Sequence, residues 1–389
     1  MEASASADAG RQLVLLLAMQ FSFGLAFSTF VLLPKILASS LHAGPEGIGL
    51  VMSMFALAGV STVPLLGARI DRGGRPRLMR GGTMLMFVSS LGYLFVDHIG
   101  PLAMVLRAAH GAAYTVVFVT GSAVAADLSP PGRMGRTMAL FGSSNLVTNA
   151  VAPLLVEPLI DHVGPWTAYV VAAVASLAAG VLTTRLVDRP RGAAGDGPER
   201  APLSAVLRRG RAQRIMVAIG LAGIALGAMF TFSQPMALAL GIQHVRGFFV
   251  AYTISVIAVR VVLHDFVDRV GPQRTCVGAL CAYFVVVFSM RYLGTLGLAA
   301  MGAAFGLAHG FLFPAAMALG IADLPADERG RMLALTNAGF IGGGAFVLPL
   351  GSVAAHMGYP MLFALAAAGA LAAAALLWRW PIAGPRAVP

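Results

Sequence analysis

Asp71-Arg72-Gly73-Gly74-Arg75-Pro76-Arg77 stands between two apolar runs, and a worn copy, Asp268-Arg269-Val270-Gly271-Pro272-Gln273-Arg274, recurs 197 residues later. A short basic loop with a turn-forming glycine thus occurs twice, at the same place in two hydrophobic halves. The chain reads as two related membrane bundles in one polypeptide.

The repeat extends outward from that loop. Asp127-Leu-Ser-Pro130-Pro-Gly-Arg133-Met-Gly135-Arg136 in the first half is matched by Asp323-Leu-Pro325-Ala-Asp-Glu-Arg329-Gly330-Arg331 in the second. The pairs His110-Gly111 and His309-Gly310 also correspond. Three matching features in register argue for duplication rather than chance.

Composition gives the solvent. The 389 residues are 58% hydrophobic and 11% charged, with a mean hydropathy of +0.83; soluble domains carry about 25% charged residues. The net charge of +11 raises nucleic acid as a partner, but its placement argues against one. Arginines crowd alternate loops, around Arg69, Arg80, Arg133, Arg189 and Arg211, as the positive-inside rule requires. The opposite ends keep Lys35, Arg246 and Arg291. That pattern puts both termini in the cytoplasm and makes the number of spans even. Cys276 and Cys281 fall in one helix, so no disulfide framework is expected. The first apolar run, Leu13 to about Ala38, is too long for a signal-peptide core and reads as the first span. Arginine in place of lysine, with much alanine, suggests a GC-rich bacterial source.

With about 20 apolar residues per span, twelve spans are expected near 12–38, 46–67, 78–97, 102–126, 137–157, 166–187, 214–240, 247–265, 275–293, 296–322, 333–354 and 361–380. Residues 1–187 form one six-helix bundle, 188–213 a cytoplasmic linker, and 214–389 a second bundle. The linker holds Arg191-Gly-Ala-Ala-Gly-Asp-Gly-Pro198, which cannot pack a core. Leu203 to Arg214 alternates apolar and basic residues, as an amphipathic helix on the inner leaflet does.

The chain resembles the major facilitator superfamily over essentially its whole length. The motif is Gly67-Ala-Arg-Ile-Asp71-Arg72-Gly73-Gly74-Arg75-Pro76-Arg77, matching Gly-x-x-x-Asp-Arg-x-Gly-Arg-x-Arg/Lys; in the second copy His264 replaces the first glycine. Arg107 and Gly111 match a second feature, in helix 4. Asn145 to Pro153 keeps the proline, but not the glycines, of the helix 5 motif typical of drug/proton antiporters. The resemblance implies an all-α membrane fold of two pseudo-symmetric six-helix bundles around a cavity that opens alternately to each side. Helices 1, 4, 7 and 10 would line it. The family does not fix the substrate.

Candidate residues follow. In the gating loops (Asp71, Arg72, Gly74, Arg75, Arg136, with Asp268 and Arg269 in the copy), Asp71 reads as a latch. It would accept from the amides opening helix 11, near Leu333, and from an arginine such as Arg136. The other reading of Asp71 is a solvated carboxylate. Arg107 lies inside a span, where charge is costly and marks function by default; the alternative is snorkelling to the headgroups. His110 and Tyr114 follow at i+3 and i+7, on the same face. His110 and His309 are either titrating relays or packed histidines bonded to a backbone carbonyl. Gln20, Phe27, Gln234 and Phe313 offer an apolar lining with polar anchors, or plain core packing. Glu157 and Asp127 are the proton-coupling candidates, both at span ends, with Glu157 expected on a solvated rim. Arg260 has no counterpart in the first half. It admits a pairing with Asp265, Asp268 or a helix end as readily as a substrate role.

No nucleophile, metal set or acid–base pair appears, so an enzyme is not expected, nor a cofactor. Five of the eight histidines fall in outer loops without ligand spacing. The leading expectation is proton-coupled export of a small amphipathic neutral or anionic molecule across a bacterial inner membrane, by a monomer whose partners are substrate, lipid and protons. The alternatives are uptake or exchange of an organic anion or lipid-like molecule, and a transport-inactive sensor or assembly protein.

Overall fold

Every long apolar run folds as helix in the computed structural model, which describes residues 2–71, 74–130, 133–188, 210–263, 265–294, 297–322, 324 and 326–379. The first half holds α1 (Glu2–Thr29), α2 (Leu33–Ser40), α3 (Pro45–Asp71), α4 (Arg75–Gly92), α5 (Pro101–Asp127), α6 (Met134–His162) and α7 (Trp166–Thr183). The second holds α8 (Gly210–Ala239), α9 (Arg246–Val262), α10 (Phe266–Val270), α11 (Pro272–Ser289), α12 (Gly297–Ile321), α13 (Ala326–Gly343), α14 (Val347–Met357) and α15 (Tyr359–Arg379). Single 3-10 turns join α1 to α2 and α13 to α14 into continuous rods.

Ten helices among the described residues are long and apolar enough to cross a membrane. The third and eighth expected spans are occupied by α4 and α9. The first of these opens with Arg75, Arg77 and Arg80, and the second has only 17 residues. Large apolar side chains such as Val105, Val174, Val285 and Leu371 face outward, where lipid rather than water suits them.

The starts of α4 and α11 show why the duplicated loop keeps its glycine. Gly74 has φ 76° and Gly271 has φ 92°, a region that side-chain-bearing residues avoid. Each reversal is followed by a proline in the first turn of the next helix, where a missing N–H costs nothing.

The chain divides into two compact units, residues 1–43 with 54–193 and residues 44–53 with 194–389. Within the first, α1 packs on α6 and α7, and α4 packs on α5 and α7. Within the second, α8 packs on α13 and α15, and α11 on α12 and α15. Those are the same four pairings, helix for helix, so the duplication read from three motifs is also a duplication of packing. The expected amphipathic stretch from Leu203 lies outside the described residues, except for its last turn in α8.

Close helix approach depends on small residues. Along α12, Gly302, Gly306 and Gly310 recur every fourth residue and face α9. An added Cβ at Gly306 would lie 2.3 Å from the Tyr252 carbonyl oxygen, and one at Gly302 would lie 2.3 Å from that of Phe248. Gly111 in α5 meets the Phe55 carbonyl of α3 in the same way, at 2.1 Å. In a membrane, where apolar helices gain little by leaving lipid, such backbone contact supplies the packing.

Candidate functional site

Six residues before Arg107, Pro101 opens α5, so the arginine lies about 9 Å into that helix. It is buried, and its guanidinium carbon stands 4.8 Å from the centre of the Phe55 ring. Its Nε and one terminal nitrogen have no hydrogen-bond partner. A cation over an aromatic face is partly stabilised, but a buried guanidinium with idle donors is poised for an anion.

The aromatic wall continues from Phe55. Phe27 of α1 packs 5.5 Å from Phe55 and 4.4 Å from Tyr114, and Tyr114 packs 5.4 Å from Phe118. The Tyr114 hydroxyl accepts from the Asn145 side-chain amide at 3.5 Å, and the Asn145 oxygen accepts from Gln20 at 3.4 Å. Ser28 of α1 bonds Thr148 and Asn149 of α6, both at 2.9 Å. The first unit therefore brings together Arg107, Tyr114, Phe27 and Gln20, adding Phe55 and Asn145.

His110 sits apart from that group. It is buried between Phe30, at 4.0 Å, and Tyr93, at 5.4 Å, and neither ring nitrogen has a hydrogen-bond partner. The bond to a backbone carbonyl expected of a packed His110 is absent. In the second unit, His309 shares a hydrogen bond with the Tyr283 hydroxyl. Around it lie Tyr252 at 5.8 Å, and Phe313 and Phe340 at 6.0 Å each. Gln234 donates to the Phe230 carbonyl one turn back, at 2.9 Å.

Glu157 is not on a solvated rim. It is 0% exposed, and it accepts from the Lys35 ammonium at 2.7 Å. Lys35 also donates to Asp161 at 2.7 Å and is itself buried. Sequence reasoning placed Lys35 among outer-end cations and overlooked Asp161. Two signals were available: Lys35 is the sole lysine of the chain, and carboxylates four residues apart share a helix face.

In the gating loops, Arg75 is buried at the start of α4 and forms an ion pair with Asp127 at the end of α5. The Gly74 amide donates to the Asp188 carboxylate at 2.7 Å. Gln12 fastens the same stretch, accepting from the Val187 amide at 3.0 Å. The side chain of Asp71, and Arg72 altogether, lie outside the described residues. Arg136 and Asp268 are exposed, and Arg269, also exposed, pairs with Asp265 at 3.4 Å.

A duplicated helical bundle with membrane-crossing helices and cations inside its spans defines a multi-pass membrane transport protein. A model of the Major Facilitator Superfamily matches residues 15–320, and the chain belongs to that family. No curated protein matches it. Among solved structures it is similar to the nucleoside transporter NupG, with a TM-score of 0.78 at 17% identity over 95% of this chain and 98% of that one. An auto-inhibited POT family peptide transporter gives 0.77 at 13%, over 96% and 98%. The human organic anion transporter MFSD10 (TETRAN) gives 0.67 at 18%, over 95% and 99%. At such identities the likeness is one of fold.

Proposed function

We propose that this protein is a secondary active transporter that exports a small amphipathic neutral or anionic molecule by alternating access, driven by the proton gradient. The observation that carries the reading is Arg107: a buried guanidinium with idle donors over Phe55, the first ring of a wall that continues through Phe27 to Tyr114. An acidic or strongly accepting group would meet the donors, and the apolar body of the ligand would meet the rings. Proton coupling is assigned to Glu157 and Asp127. A proton taken up by Glu157 would weaken its hold on Lys35, and one taken up by Asp127 would release Arg75; each ion pair ties two helices together. The protein would work as a monomer in a bacterial inner membrane with both termini in the cytoplasm, an orientation supported by the arginine-rich loops.

A thermal-shift screen on the purified protein in detergent tests the substrate class. Organic anions, lipophilic cations, neutral drugs and lysolipids are compared at two pH values, since a ligand of the native state raises the melting temperature by mass action. Anions are expected to stabilise the protein, and Arg107→Ala to abolish the effect. Stabilisation by cations alone would overturn the charge argument.

A further inference from the structure

Arg260 is a further cation within an expected span, and the reading above leaves it unused. It lies in the last turn of α9, two residues before Val262. Helical side chains lean toward the N-terminus, which directs the guanidinium back along α9. It stands 5.6 Å from the centre of the Phe313 ring.

The surroundings are fixed by backbone. Gly310 lets α12 come so close to α9 that an added Cβ would lie 2.8 Å from that of Val259. Phe313 follows three residues later on α12 and packs 5.6 Å from Phe340 of α13. His309, one turn before Phe313, is oriented by Tyr283. Arg260 therefore stands against an aromatic wall in which Phe313 packs on Phe340. Among the described residues it has no acidic or hydrogen-bonding partner. An unpaired cation within a span is costly unless it lines a watered cavity or meets a ligand.

We propose that Arg260, Phe313 and Phe340 form an anion-binding locus of the second unit, and that its ligands are aromatic carboxylates or sulfonates. The planar guanidinium offers two parallel donors to the acid, and the ligand ring packs on Phe313 and Phe340. The inference rests on the amphipathic-substrate reading and narrows it to aromatic acids.

The test uses the full chain in detergent and isothermal titration with three probes: 1-naphthoate, neutral 1-naphthalenemethanol and cyclohexanecarboxylate. Arg260→Ala should weaken 1-naphthoate at least about tenfold, as the loss of a charge-assisted hydrogen bond implies. The neutral alcohol should stay within about twofold. Arg260→Lys should fall between, keeping charge without the fork, and Phe313→Leu should erase the preference for naphthoate over cyclohexanecarboxylate. These last two variants carry the test if Arg260→Ala does not fold. Wild-type affinity for 1-naphthoate in folded Arg260→Ala or Arg260→Lys would overturn the locus. Loss in Arg107→Ala alone would overturn it too, while keeping the Arg107 reading. Loss in Arg260→Ala alone would keep the locus and remove Arg107 as an anchor. No binding of 1-naphthoate to the unaltered protein would overturn the locus, leaving Arg107 to be judged on non-aromatic anions.

Discussion

The helices α5 and α12 are two editions of one element. His110 and His309 are 199 residues apart, as are Tyr114 and Phe313, so Arg107 matches Gly306. In α5 the arginine lies across Phe55. In α12 the glycine admits the Tyr252 backbone, and a cation reappears on a different helix, as Arg260 against Phe313. The histidines diverge as well: His110 is wrapped in rings without a polar partner, and His309 is bonded to Tyr283. Four pairings of helix on helix recur in both units, while the charges have moved. Packing rests on many backbone contacts at once and resists change. A charge acts across several ångströms, so it can shift to a neighbouring helix without disturbing the fold.

The largest effect is expected where the first unit has a feature not matched among the described residues of the second. Lys35→Ala would remove the ammonium that Glu157 and Asp161 share, and breaking a buried ion pair costs about 3–5 kcal/mol. Thermal unfolding should show a large fall in melting temperature, partly restored in the double variant Lys35→Ala/Glu157→Gln. A single variant that melts like the unaltered protein would remove the ion cluster from the stability of the unit.

Gly306→Ala asks whether the divergent position is fixed by packing. The added methyl meets a backbone oxygen, so overpacking of about 1–3 kcal/mol is expected. Gly278→Ala, whose Cβ meets nothing within 4 Å, should be neutral in the same melting experiment. Equal melting temperatures for the two would mean that Gly306 is not required by its contact with α9.

Arg107→Gln keeps donors and removes charge. Uptake of an organic anion into inverted vesicles should fall about tenfold, with the melting temperature unchanged or raised, since an unpaired buried charge is lost. Undiminished anion transport would mean that Arg107 is structural.

The smallest effect belongs to Asp188→Asn. The hydrogen bond from the Gly74 amide is exposed, and its loss should cost at most about 1 kcal/mol. Amide exchange at Gly74 should quicken while global melting holds; unchanged exchange would show that Asp188 does not restrain the loop.

The residues differ in how far the sequence revealed them. The glycine turns at Gly74 and Gly271 were legible because a positive φ is a local demand that few residues meet. The spans were legible because each needs its own apolar run, and α4 and α9 fall short for stated reasons, basic first turns and 17 residues. Arg107 was legible as a lone charge in an apolar run. The partnership of Lys35 with Glu157 was not, because 122 residues separate them and only the packing of helices joins them. Phe55 and Asn145 escaped for the opposite reason, as an ordinary aromatic and an ordinary amide with no local peculiarity.

Sequence alone thus determined the solvent, the helical class and the duplication, since each is written in composition, in apolar runs or in residues with few conformational substitutes. The tertiary structure decided which side chain faces which: Arg107 with Phe55, Arg75 with Asp127, Arg260 with Phe313. Those meetings depend on how helices rotate and approach. That is set by glycine contacts spread over two helices at once, and no single stretch of sequence contains them.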